Sequence, residues 1–269
     1  MKPLLTCTTE ELILLLTLCG FSETARGLGE SMLGEKSEES WNTLIDGASH
    51  QLILKGVWDL EKSANDEIPL SEDLQEFIRD YATSSYLLRF VDIQAGRSFL
   101  LHSLTEEYWI EHVVSHDIIH EFGQVTVSDA NKDLKSFYAF KDPSTIEELS
   151  FTLSTEQFDL LSESSNSENI QSEIDKPDEK RAFDQFIHVL KEHNWELQNV
   201  SRFYLGENQN ELQMTDILFF MNSNDGIWCV EYIEENEDIL VHFTLKSSSD
   251  WLSKCMKLVK KHFVQLETL

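Results

Sequence analysis

An apolar pattern occurs twice along this chain, and the repeat constrains its fold more than any other feature. The first copy holds Ser98-Phe99-Leu100-Leu101-His102, a polar spacer, and Tyr108-Trp109-Ile110-Glu111-His112-Val113-Val114. The second holds Ile217-Leu218-Phe219-Phe220-Met221, the break Asn222-Ser223-Asn224-Asp225-Gly226, and Ile227-Trp228-Cys229-Val230-Glu231-Tyr232-Ile233. A third, Asp-led run follows each: Asp117-Ile118-Ile119-His120 and Asp238-Ile239-Leu240-Val241-His242. An amphipathic helical stretch and a strand-like stretch precede each copy. The pattern predicts one α/β unit used twice, in halves 1–145 and 146–269 of one globular body. Residues 84–125 and 200–245 are the matching strand meanders, with Trp109 and Trp228 at equivalent places.

Helix signals flank the meanders. Thr8 or Thr9 caps a helix to about Leu18, with Glu10 and Glu11 at its positive end and Gly20 beyond it. After Ser37 or Ser40, Trp41, Leu44, Ile45, Ala48, Leu52 and Ile53 recur at helical spacing until Lys55-Gly56. Val57–Leu60 resembles a short strand, and the cadence is winged-helix-like but without a basic recognition face. Ser71 caps a third helix with Leu74, Phe77, Ile78 and Tyr81 as its stripe. Residues 132–140 suit a helix or a strand. Residues 151–153 suit a strand and 155–161 a short helix. Residues 162–180, SESSNSENIQSEIDKPDEK, are almost without apolar side chains and predict an acidic flexible loop. Beyond it, Phe183, Phe186, Ile187 and Leu190 mark a helix. Gly206-Glu207-Asn208 marks a turn, and Trp251, Leu252, Cys255, Met256, Val259 and Phe263 mark a closing helix.

Charge narrows the partners. The chain has 269 residues, 49 acidic against 21 basic, and a formal net charge of −28. Such a surface repels nucleic-acid backbones and anionic membranes and suits a basic partner. The run Leu12–Cys19 is too short to span a bilayer, and neither the basic start nor the small-residue cleavage site that a secretory signal needs is convincing here. Cys7, Cys19, Cys229 and Cys255 have no CxxC spacing and sit among apolar residues, as buried free thiols do. The expectation is a cytoplasmic protein, monomeric when free.

Catalytic signatures are missing from the sequence. Gly27-Leu28-Gly29 lacks the third glycine and the preceding strand of a phosphate loop. GxSxG and HExxH are absent. His112, His116 and His120 are four apart, the spacing of zinc ligands on a helix. Val113-Val114 and Ile118-Ile119 favour strands instead, in which the histidines need not converge. The expectation is a non-enzymatic protein with no metal and no cofactor.

The strands are apolar on both faces. Trp228, Val230 and Tyr232 alternate with Ile227, Cys229 and Ile233. A sheet open on one side should alternate apolar with polar. Either helices cover both faces, or one face serves a partner. On the second alternative Trp228, Val230 and Tyr232, with Trp109 in the other half, are the partner-binding residues, since aromatics at a desolvated centre carry such contacts.

The order of elements resembles the EspG family, cytosolic chaperones of type VII (ESX) secretion systems. The likeness is to layout and spans most of the chain: the opening helix, the helix–KG step from Trp41 to Leu60, the helix from Leu70 to Ala82, and the closing amphipathic helix. It implies an α+β fold, with two quasi-equivalent halves sharing a central antiparallel sheet flanked by helical bundles. It further implies a chaperone or adaptor that binds the hydrophobic end of a helical, LXG- or PE/PPE-like substrate and keeps it soluble for export. The acidic segment 162–180 and the high negative charge depart from that pattern. The alternative is an acidic immunity protein that neutralises a secreted toxin by charge complementarity.

Overall fold

The computed structural model describes residues 4–141, 143–205, 212–235 and 238–266. The fold is α+β, with antiparallel strands and helices in both halves of the chain. The first half runs β1 (Leu5–Thr8), α1 (Thr9–Leu18), α2 (Ser22–Leu33), α3 (Glu38–Leu54), α4 (Leu60–Ala64) and α5 (Glu72–Thr83). Four strands follow: β2 (Tyr86–Asp92), β3 (Arg97–Ser103), β4 (Tyr108–Ser115) and β5 (Ile119–Thr126). The second half begins with α6 (Val127–Phe137), β6 (Ser150–Ser154), α7 (Thr155–Leu160), a 3-10 turn (Ser164–Asn166), α8 (Ser167–Glu173) and α9 (Pro177–Glu192). It continues with β7 (Gln198–Leu205), β8 (Leu212–Asn222), β9 (Ile227–Glu235), β10 (Asp238–Lys246) and α10 (Ser248–Leu266).

The repeat is topological. Neighbouring strands follow β1-β5-β4-β3-β2 in the first half and β7-β8-β9-β10-β6 in the second. In each half one early strand pairs antiparallel with the last strand of the meander: β1 with β5 and β6 with β10. Trp109 and Trp228 are each the second residue of the third meander strand. Trp109 stands opposite Val125, and Trp228 opposite Leu245.

The chain groups into two compact units whose boundary differs from 145/146. The first takes residues to Leu87 and Gly96–Thr126; the second takes Leu88–Ala95, Val127–Tyr204 and the later strands with α10. The helix α6 therefore belongs to the second unit, with Ala130, Leu134 and Phe137 buried.

Local signals set the helix ends. Thr8 closes a capping box on α1: its hydroxyl accepts from the Glu11 amide at 3.3 Å, and the Glu11 carboxylate accepts from the Thr8 amide at 2.7 Å. Ser37, Ser71 and Ser154 cap α3, α5 and α7. In the first unit, α1, α3 and α5 pack on one sheet face through Leu12, Leu16, Leu52 and Ile78, against Cys7, Ile110 and Phe122. In the second, α9 lays Phe183, Phe186, Ile187 and Leu190 on Phe151, Trp228, Val230 and Phe243.

Two expected elements are corrected. Residues 162–180 are not a flexible loop: they form the 3-10 turn, α8 and the start of α9, and Ile170 is 3% exposed in the second core. Burial of Ile170 and Leu161 gives this acidic stretch an apolar anchor that its composition hides. Residues 57–60 are not a strand; they lead into α4, capped by Asp59. The turn expected at Gly206–Asn208 lies outside the described residues, as do the side chains of Val259 and those after it.

Candidate functional site

Three of the four residues expected to meet a partner are core. Trp109, Trp228 and Val230 are about 2% exposed or less. Trp228 packs edge-on against Phe186, ring centroids 5.6 Å apart, beneath α9. On the opposite face of β9, Cys229 is buried, and α10 brings its buried Trp251 to the same hollow. Helices thus cover both faces of this strand, so its doubly apolar pattern reflects burial. Tyr232 alone is open, at 52%, with its ring 6.2 Å from Phe158.

The histidines do meet, though in strands. His116 and Asp117 form the β4–β5 turn with φ of 53° and 56°, a left-handed pair that His and Asp tolerate. His112 and His120 project from neighbouring strands to the helix-covered face. Nε2 of His112 lies 2.8 Å from Nδ1 of His120, and Nε2 of His120 lies 3.0 Å from the Thr9 hydroxyl. The hydroxyl donates to the Asp117 carbonyl at 2.9 Å, so it accepts from His120. This network assigns His120 its proton on Nε2, and Nδ1 then accepts from His112. Among the described residues Nδ1 of His112 and Nε2 of His102 find no hydrogen-bond partner. Tyr81 of α5 packs on both rings, centroids 5.5 Å from His112 and 4.8 Å from His102. Burial holds all three histidines neutral: His102 is pushed down to about 3 and His120 to about 4, and His112 lies well below its ordinary value. Among the described residues no group of three or more His, Cys, Asp or Glu side chains is placed to hold a metal ion.

The thiols are correspondingly quiet. Burial raises Cys7 and Cys229 to about 12, and Cys255 well above its usual value. Such groups are protonated at neutral pH and poor nucleophiles.

An open concavity lies in the first unit, beside α5. It encloses about 660 Å³ between α5, the start of β1, the end of α3 and the strands β4 and β5. Leu4, Leu5, Val57, Leu74, Phe77 and Ile110 supply its apolar lining. Leu4 is 66% exposed, and Leu74 and Phe77 are half-buried. Phe77 is anchored edge-on against Phe122 at 5.6 Å, so the floor is fixed by the core beneath it. Asp73, Glu76 and Asp80 line the same groove from α5. Their spacing of three and four places them on one stripe of the helix. Among the described residues the lining contains no lysine, arginine or histidine. Sequence reading found the apolar stripe of α5 but missed this acidic one, whose signal was the same periodicity read for charge.

A second hollow, of about 600 Å³ in the other unit, mixes Lys246, Lys254 and Lys257 with Glu231 and Asp250. Lys254 is paired with Glu231 there, so its charges largely answer one another. No helix among the described residues is long and apolar enough to cross a membrane.

The chain belongs to the family described as "Uncharacterised protein YfjC", whose model matches residues 4–251. No curated protein matches the chain.

Proposed function

We propose that this member of the YfjC family is a cytoplasmic protein-binding chaperone or adaptor rather than an enzyme. Its groove beside α5 would take an apolar helical segment of a client. The observation that carries the reading is the groove itself: a floor of Leu74, Phe77 and Ile110, fixed from below and continued to the surface by the exposed Leu4. An uncovered apolar concavity of this kind is a binding surface in most soluble proteins. The protonated, buried thiols and the neutral, mutually bonded histidines support binding over nucleophilic or acid–base chemistry. The client class proposed is the helical type VII substrate, LXG- or PE/PPE-like, which the order of elements suggested.

The test is co-expression with a helical type VII substrate of the LXG or PE/PPE kind. Wild-type protein should co-purify with it. The double variant Leu4→Asp/Leu74→Asp should stay folded, at some cost in melting temperature because Leu74 packs on the core, and lose the client. A variant that stays folded and still holds the client would remove the groove from the interaction.

A further inference from the structure

We infer that the groove beside α5 selects a basic amphipathic helix, one that sets lysine or arginine along the edge of its apolar stripe. The inference rests on the groove being the client site and goes on to name the client's chemistry. Asp73, Glu76 and Asp80 all line the groove, and among the described residues no basic side chain does. Among the described residues none of the three makes an ion pair or a side-chain hydrogen bond. The only basic residue of α5, Arg79, is not among the residues that line the groove. Lys55, next in sequence to the lining residue Gly56, is held by the Glu11 carboxylate at 2.6 Å. The wall is therefore an unanswered row of negative charge next to an apolar floor.

The geometry favours a helix laid along α5. From Asp73 to Asp80 the acidic stripe runs two turns, about 10 Å at the rise of an α-helix. A partner helix repeats its side chains with the same period. Cations at i, i+3 or i+4, and i+7 can then face the three carboxylates while the adjoining apolar stripe meets Leu74, Phe77 and Leu4. Each exposed pair contributes little alone, but like charges on a rival helix are actively disfavoured. The wall thus sets which apolar helices are accepted, and the floor supplies the shared attraction.

The probe is a pair of synthetic helical peptides of about 18 residues with identical apolar stripes. One carries lysine along the stripe edge, the other glutamine. Binding is measured by fluorescence anisotropy against the full chain, against Asp73→Asn/Glu76→Gln/Asp80→Asn, and against Leu4→Asp/Leu74→Asp. The basic peptide should bind wild type about tenfold tighter than the neutral one, the scale of three exposed charge pairs. That preference should vanish in the neutralised variant and shrink between about 0.05 M and about 0.5 M salt. The neutral peptide should bind wild type and the neutralised variant alike. The neutralised variant loses only three of 49 acidic residues. A preference that survives in it would come from the protein's overall charge and would overturn the inference, while leaving the groove as a binding site. Equal affinity of both peptides for wild type would do the same. Undiminished binding of both peptides to Leu4→Asp/Leu74→Asp would overturn the groove reading and this inference together. So would sedimentation showing that a second copy of the chain fills the groove in place of the peptide.

Discussion

His112 and His120 share one hydrogen bond, Nε2 to Nδ1 at 2.8 Å, inside the first unit's core. The pair is diagonal across two strands: His112 stands opposite Phe122, and His120 opposite Val114. Residues two places off register still meet when their side chains are aromatic. The bond needs Nδ1 of His120 unprotonated, and the groups facing the two rings do not compensate a charge on either. Tyr81 of α5 and Cys7 of β1 remain protonated, as burial raises both. His102 of β3 is itself a histidine held neutral. Asp117 and Glu10 favour protonation of His120, but burial outweighs them.

A pH dependence follows from these shifts. The folded values lie below the ordinary 6.5, at about 3 for His102 and about 4 for His120. An unfolded chain then binds more protons than the folded one between about pH 6.5 and 4. Stability is full above pH 6.5 and falls as pH drops, by about 1.4 kcal/mol per pH unit for each histidine. Replacing His102 by phenylalanine removes one such group without breaking a bond to its Nε2. Urea titrations from pH 7 to pH 4.5 should show a shallower acid limb for His102→Phe, with little change at pH 7. An unchanged slope would mean that His102 takes no part.

The two ends of β9 should respond oppositely to substitution. Trp228→Ala opens a cavity beneath α9 and should cost about 3–5 kcal/mol. Tyr232→Asp, at an exposed position, should cost less than about 1 kcal/mol. Thermal melting of both variants checks the contrast, and comparable losses would show Tyr232 to be packed.

Gly226 should tolerate no side chain. Its φ is 141°, and an added Cβ would stand 2.7 Å from the Lys246 carbonyl oxygen across the β9–β10 ladder. Gly226→Ala should therefore lose about 2 kcal/mol or more through backbone strain and the clash. A variant melting at the wild-type temperature would show that the turn can move aside.

Residues 162–180, whose composition predicts a flexible loop, give a sharper case. Ile170→Asp in α8 would bury an unpaired charge among Phe183 and its neighbours, and should destabilise by about 2–4 kcal/mol. An effect below about 0.5 kcal/mol would restore the picture of a loose acidic loop.

Much of the architecture was legible because its signals were local. Thr8, Ser37 and Ser71 announced the starts of α1, α3 and α5. The paired tryptophan runs announced the two meanders. What was missed depended on distant partners. The strand β1 has four residues and is defined by pairing with β5, far along the chain. The helix α2 is diluted by Gly27 and Gly29, of which Gly29 admits the Trp41 ring so closely that a Cβ would stand 2.6 Å from it. The doubly apolar strands posed a choice that periodicity alone leaves open, since a covering helix and a partner demand the same side chains. The histidine pair needed the register of β4 and β5. The groove needed α5 to be set against β1 and β4, although its acidic stripe was already visible at Asp73, Glu76 and Asp80.

Hydrogen exchange with and without bound client shows whether a client helix sits in the α5 groove. Binding should slow exchange in α5, around Asp73 to Asp80, and at Gly56-Val57 and Leu104 across the groove, with the second unit unchanged. Protection confined to the open end of β9 and β10, around Tyr232 and Ile239, with none in α5, would contradict the account.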